Sequence, residues 1–319
     1  MRRITVALLA AILVFTFVGC SSSPAVALIN GEELSKEMYM YYLNNDKVGY
    51  VMENSIRNPE SFWESGTIED MNAVSYIKQM ALDEAVSGVV SRQKALEAGL
   101  TLSEGDKKRM TDYIDYLKEQ GAESYQKFLS ENFLSEKLLL EVIEIMTYEE
   151  IYMYHLIGAK EYFDTEMVRV KHILIKTVDD SMEPLPEEEV AAAREKAEAI
   201  LADLQNGADF EAYIVSDGED PGMSENPDGY IFGPNGQMVQ EFTEASLGLE
   251  VGGVSGLVET SYGYHIIKKY PLDESFYESV KGVAAQEIGQ EKEADYIAKM
   301  KEAVDSSLVV QTKEYNKIK

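Results

Sequence analysis

The chain has 319 residues, of which 45% are hydrophobic and 27% charged, enough for one large or two modest domains with well-buried cores. Its formal net charge of −28 sets 57 acidic against 29 basic side chains. That balance repels nucleic acid and anionic lipid head groups and excludes electrostatic binding to either, while the single cysteine, Cys20, excludes a disulfide framework.

The first stretch in chain order is "MRRITVALLAAILVFTFVGC". Arg2 and Arg3 make a basic start, and Ile4 to Val18 make an apolar run shorter than the ~20 residues that span a bilayer comfortably. One reading is an uncleaved signal anchor. The other is a signal peptide over 1–19, because Gly19-Cys20 resembles the lipobox of bacterial lipoproteins, with Phe17 in place of the usual leucine. That resemblance implies cleavage before Cys20, a lipid on its sulfur, a polar tether over 20–24, and a chain held at the extracytoplasmic face of the cell membrane. Cleavage would remove two positive charges and nothing acidic.

Residues 25–163 read as mainly helical. "AVALINGEELS" predicts a short strand, a turn at Asn30-Gly31 and a helix start at Ser35. Ile77, Ala81, Ala85, Val89 and Ala95 recur at helical spacing, which predicts a long helix from about 68 to 98, stopped by Gly99. Ser103 with Asp106 forms a variant capping box, and Ser135 can cap a further helix ending near Gly158. Tyrosine and methionine crowd this region, from Met38 to Tyr42 and from Met146 to Tyr154. Such stripes serve helix–helix packing, or else an adaptable apolar groove for polypeptide. His155 lies among them as a packing or surface residue.

The pattern changes at 166–271. A strand over 168–176 leads through an acidic loop to a helix that begins at Pro186, with Glu187, Glu188 and Glu189 at its positive end. Ala193, Ala197, Ile200, Leu201 and Leu204 supply its apolar stripe, and Gly207 ends it. A short helix from about Asp209, a Gly/Pro/Asn-rich stretch, another short helix over "VQEFTEASLG" and strands near 255–260 and 263–269 complete an α+β pattern. Residues 275–319 return to helix and close on a strand candidate, "SLVVQTKEYNKI", able to pair with "AVALI". Regions 25–163 and 275–319 would then form one helical, chaperone-like domain in which 166–271 is inserted.

The chain carries no G-x-S-x-G elbow, Walker A loop, G-x-G-x-x-G or H-E-x-x-H. Two histidines without a third ligand make a poor zinc site, so no metal or cofactor is expected. What stands out is a histidine inside each of two apolar strands, His172 in "VRVKHILIKT" and His265 in "SYGYHIIKKY". Together with "FEAYIVSDGEDPGM" and "PDGYIFGPNGQMVQEFTEASLGLEVGGVSGLVET", these strands resemble the parvulin family of peptidyl-prolyl cis/trans isomerases across 166–271. The flanks are similar to those of PrsA-like extracytoplasmic foldases.

The resemblance implies an antiparallel sheet flanked by helices, with His172 and His265 hydrogen-bonded across the floor of a catalytic site and Asp220 beside them. It implies Met238 and Phe242 lining a proline pocket, Gly229 or Tyr230 at the pocket edge, and Thr260 and Tyr262 on a polar rim. The two histidines can equally be satisfied core side chains that orient the site. The loop "FGPNGQM" is one residue longer than usual, which leaves the choice between Gly229 and Tyr230 open. The loop "TVDDSMEPLPEEE" is acidic where phosphate-directed parvulins are basic, so unphosphorylated substrates are implied. The expected partners are unfolded exported polypeptides with X-Pro bonds and the membrane through Cys20. The expected activity is isomerisation with chaperoning, the alternative being a non-catalytic holdase with a degenerate parvulin domain. The oligomeric state stays open, a dimer among the options.

Overall fold

The computed structural model describes residues 24–318. β1 (Ala25–Ile29) and β2 (Glu32–Ser35) form a hairpin whose turn residues Asn30 and Gly31 both have positive φ, 52° and 90°. Two-residue turns that match the strand twist need that conformation, and Asn and Gly adopt it at least cost. Ser35 then caps α1 (Lys36–Glu53), its Oγ accepting the Met38 N–H at 3.1 Å. After α2 (Pro59–Ser65), the structure departs from the expected helix start near 68. β3 (Thr67–Ile68) and β4 (Met71–Asn72) make a small hairpin through Glu69 and Asp70, both left-handed. The long helix α3 (Ala73–Glu97) begins only after Asn72, whose Oδ1 accepts the Ser75 N–H. An Asn side chain that bonds to the backbone ahead of it competes with helix continuation, and here it wins.

α4 (Glu104–Glu119) opens on a reciprocal cap. Asp106 Oδ2 accepts the Ser103 N–H, and Ser103 Oγ accepts the Asp106 N–H, each at 3.0 Å. α5 (Ala122–Glu131) precedes α6 (Glu136–Ile157), where Ser135 Oγ receives the Leu138 N–H. α7 (Ala159–Thr165) follows. Then come β5 (Val168–Lys176), α8 (Glu187–Gln205), α9 (Phe210–Ser216), α10 (Gly222–Glu225), β6 (Tyr230–Phe232), α11 (Gln240–Leu247), β7 (Val258–Thr260) and β8 (Gly263–Tyr270). α12 (Tyr277–Asp305) and β9 (Val309–Gln311) end the described chain. α10 is a helix the Gly/Pro/Asn-rich stretch gave no periodic sign of. No helix among the described residues is long and apolar enough to cross a membrane.

The chain divides into two compact units. The first holds the described residues up to Val86, Lys118–Val142 and those from Ser307 on. Its three-stranded sheet has the order β2-β1-β9, with Ala27, Leu28 and Ile29 opposite Gln311, Val310 and Val309, so the two ends of the chain meet in one sheet. Val26, Ile29, Leu34, Tyr39, Leu43 and Ile77 are buried in this unit, and the Tyr39 hydroxyl donates to the Lys78 carbonyl at 2.9 Å.

The second unit holds Ser87–Leu117 and Ile143–Ser306. Its sheet is antiparallel, in the order β6-β5-β8-β7. β5 pairs with β8 over eight positions, from Arg169↔Tyr270 to Lys176↔Gly263. Strand alternation splits the two central strands cleanly. Ile173, Ile175, Tyr264 and Ile266 pack against Ala193, Ala197 and Ile200 of α8 and Phe210 of α9. Val168, Val170 and Ile267 face the other way, toward Phe232 and Phe242. The fold is α+β, an antiparallel sheet flanked by helices. In the same unit α7 and α12 bury a separate cluster, Ile157, Phe163, Ala284, Ala285 and Ile288, against which Ile231 of β6 and Phe276 also pack.

Candidate active site

Both strand histidines lie on the α11 side of the sheet. His172 stands opposite Ile267 and His265 opposite Leu174, so the two are diagonal neighbours on one face. Each is 4% exposed. Their rings stack at 17°, and Nδ1 of one is 3.0 Å from Nδ1 of the other. A buried imidazole needs partners for both nitrogens, and both rings have them. His172 Nε2 is 2.7 Å from Asp220 Oδ2, and His265 Nε2 is 2.8 Å from Thr260 Oγ1.

Asp220 is the anchor of this chain of bonds. Burial pushes its carboxyl up, but His172, the Tyr230 hydroxyl at 2.8 Å and the Gly222 N–H at 3.0 Å together outweigh burial and hold it at about 2. An ionised carboxylate can only accept, so the His172 Nε2 carries a hydrogen. Burial first, then the neighbouring His172, pushes His265 down to about 3. A neutral His265 donates through one ring nitrogen and accepts through the other, so its bonds to His172 and Thr260 take opposite roles, set by the tautomer. Burial and the hydrogen bond to Asp220 raise the Tyr230 phenol, which stays a donor.

Above this polar floor stands an apolar wall. The Phe242 ring meets His172 edge-on at 5.1 Å and His265 at 5.3 Å, and lies 5.9 Å from Phe232. Met238, Val239, Leu249 and Val258 pack into the same cluster. The Tyr262 N–H donates to Thr260 Oγ1 at 3.1 Å, and the Tyr262 side chain is 41% exposed at the rim.

The structure thus brings His172, Asp220, His265, Tyr230, Met238, Phe242 and Thr260 together, with Tyr262 at the edge. Gly229 does something else: at φ 93°, with any Cβ only 2.5 Å from the Val170 carbonyl, it turns the backbone into β6. Tyr230 is the residue that reaches the polar floor. Two contributors escaped the sequence reading. Phe232 lines the wall, and the alternation Tyr230-Ile231-Phe232 would have placed it there. Gly222 both donates to Asp220 and leaves room for the Tyr230 hydroxyl, which any Cβ at that position would strike. His155 plays no part; its ring stacks on Tyr152. No cluster of three metal-ligating side chains occurs among the described residues. Cys20 lies outside them.

Residues 151–270 match the model of the PPIC-type PPIase domain. The foldase protein PrsA of Caldanaerobacter subterraneus is 27% identical in an alignment covering 100% of this chain and 99% of the relative. That of Geobacillus kaustophilus is 33% identical over 50% of this chain, a match that spans 48% of its own length. Among solved structures, PrsA from Bacillus subtilis covers 75% of this chain and 89% of its own at 22% identity, with a TM-score of 0.28. PrsA from Streptococcus pneumoniae covers 89% and 93% at 18% identity, with a TM-score of 0.37. Residues 151–270 are thus similar to PPIC-type peptidyl-prolyl isomerase domains, and the chain along its whole length to a PrsA foldase.

Proposed function

We propose that residues 166–271 catalyse cis/trans isomerisation of X-Pro bonds in unfolded exported polypeptides, with His172, Asp220 and His265 shaping the field and Met238, Phe242 and Tyr230 gripping the proline. The observation that carries this is the satisfied His172–His265–Asp220 network set directly against the Phe242 wall. Amide rotation faces a barrier of ~18–20 kcal/mol, and before proline the two isomers differ by only about 0.5–1 kcal/mol. No bond is made or broken. The twisted amide has lost resonance and its carbonyl is less polarised, so an apolar wall that holds the ring and excludes water favours it. A fixed carboxylate nearby disfavours the planar, polarised form. Each ~1.4 kcal/mol of such preference is a tenfold rate gain.

The loop between β5 and α8 supports an unphosphorylated substrate. Asp179, Asp180 and Glu183 lie in it, and Glu187 to Glu189 follow, a set that repels phosphate. The deciding experiment is an isomerisation assay on unphosphorylated X-Pro peptides with the wild type and with Met238→Ala plus Phe242→Ala. The double variant should lose at least tenfold in kcat/KM. A wild type that accelerates no X-Pro peptide would sink the catalytic reading.

A holdase role beside catalysis has its own support. In the first unit Tyr50, Phe62 and Trp63 form an aromatic cluster, with ring centroids 4.9 to 6.1 Å apart. Met52 (73% exposed) and Val48 on α1, and Met71 on β4, are exposed in the same unit. Such adaptable apolar surface suits varied unfolded chains. The tether is a further part of the proposal: lipid on Cys20 holds the chain at the extracytoplasmic face. Cys20→Ala should move the protein from the membrane to the soluble fraction, and a variant that stays in the membrane would favour the signal anchor instead.

A further inference from the structure

The loop between β6 and α11, residues 233–239, carries Met238 and enters the apolar wall at Phe232. Within the loop the Gly236 N–H donates to the Gly233 carbonyl at 3.1 Å. Its anchor comes from α12, a helix outside the 151–270 segment that matches the isomerase domain. Both carboxylate oxygens of Glu287 accept the Gly233 N–H, at 3.1 and 2.9 Å. The Tyr162 hydroxyl of α7 donates to the same Oε2 at 2.7 Å, and Asn235 Nδ2 donates to the Glu287 carbonyl at 3.3 Å. The loop is shaped for this approach. A Cβ on Gly233 would lie 2.6 Å from Glu287 Oε2 and strike the Tyr162 hydroxyl, and a Cβ on Gly236 would lie 3.1 Å from Oε1. Gly233 is itself buried.

A carboxylate fits this place for a reason of valence. Two donors, one N–H and one O–H, converge on it, and a carboxylate offers only acceptors. An amide would turn its NH2 toward one of the two donors. Such charge-assisted bonds are about twice as strong as neutral ones, and α12 is fixed by the buried cluster that it shares with α7. We propose that Glu287 is a positioning residue of the prolyl site: from α12 it holds the 233–239 loop, and through it Met238, in the conformation that receives proline.

This rests on the isomerase reading and deepens it. If the anchored loop is the competent form, releasing it lowers the competent fraction, and apparent affinity falls by that fraction while turnover of bound substrate is kept. The effect therefore belongs in KM rather than kcat. The test uses the full chain, as wild type, Glu287→Gln, Glu287→Ala and Tyr162→Phe. Three things are measured: amide hydrogen exchange over 233–239, kcat and KM on an unphosphorylated X-Pro peptide, and the Kd of the same peptide by titration.

The expected result is at least tenfold faster exchange at Gly233 in both Glu287 variants. KM and Kd should rise five- to tenfold with kcat within twofold, and Tyr162→Phe should show a smaller change of the same sign. Unchanged exchange in Glu287→Gln overturns the anchor, and freed exchange with unchanged KM and Kd overturns the link to the site. Should Glu287→Ala not fold, Glu287→Gln and Tyr162→Phe decide. Should the wild type turn over no peptide, the isomerase reading fails by itself, and exchange with Kd still decides on Glu287.

Discussion

At the scale of single residues, the site turns on groups whose charge state is set by burial. His265 is held well below the unfolded histidine value of about 6.5, at about 3. The unfolded chain therefore takes up a proton that the native ring refuses. The stability this neutral ring contributes is complete above about pH 6.5 and is lost as pH falls from there toward 3, at up to about 1.4 kcal/mol per unit. Asp220, lowered to about 2, adds its own loss only below about pH 4. Denaturant unfolding at pH 7, 6 and 5 should show the wild type losing up to about 2 kcal/mol more than His265→Gln, and equal losses would mean that the ring protonates freely in the native state. Gly222 allows a second test. Gly222→Ala puts a methyl group where the Tyr230 hydroxyl sits. Isomerisation should fall roughly tenfold, a loss of about 1.4 kcal/mol of transition-state stabilisation, while α8 and its core stay protected in hydrogen exchange. The site histidines were legible because polar side chains inside apolar strands demand an explanation. Gly222 was not, because a glycine's room is visible only once its neighbour across space is known.

Elements were legible wherever the chain itself carries the stop and start signals. Asn30-Gly31, Ser35, Gly99, the Ser103–Asp106 pair, Ser135 and Gly158 all act locally, and the structure uses each of them. The start of α3 was misjudged because Ile68 continues the helical spacing although two left-handed residues, Glu69 and Asp70, turn the backbone first. Nothing in a periodicity announces that. A second feature hidden from the sequence is Asp46 on α1, an acidic residue that packs at 8% exposure. Among the described residues its Oδ2 has no hydrogen-bond partner, and burial first, then hydrogen bonding and charge repulsion from Glu84, raises its carboxyl. A raised carboxyl contributes stability that is full below the unfolded value of about 4 and is lost as pH rises. Asp46→Asn removes this penalty while keeping size. The variant should be more stable than wild type by roughly 1–3 kcal/mol at pH 8, with the gap closing toward pH 4. A gap that is the same at both pH values would show that Asp46 is ionised in the native chain.

On the scale of the whole molecule, the pairing of β1 with β9 was readable as two apolar strands at opposite ends of the chain. The reach of α12 to the 233–239 loop was not, since one glutamate among many on an acidic helix carries no mark. That reach bears on whether 166–271, expected from the sequence to be an inserted domain, folds alone. All four strands of its sheet and its helices α8 and α11 lie inside the segment, so the excised piece should unfold cooperatively. It leaves behind Glu287 and Tyr162 and uncovers Ile231, so it should be less stable than in the full chain by roughly 2–4 kcal/mol. An excised segment without a cooperative transition would count against its autonomy. The division of labour is tested in the full chain. Met238→Ala plus Phe242→Ala strips the wall from the prolyl site, at a core cost of a few kcal/mol, so folding must first be verified by circular dichroism. The aromatic cluster of Tyr50, Phe62 and Trp63 belongs to the other unit and keeps every atom. The folded double variant should therefore lose peptide isomerisation while still suppressing aggregation of an unfolded protein to within about twofold of wild type. Replacing Phe62 and Trp63 by Ser should do the reverse, weakening suppression and sparing turnover of short peptides, which need only the prolyl site. If each variant loses both activities in step, clients are held and isomerised on one surface, and the proposal of two separable functions is wrong.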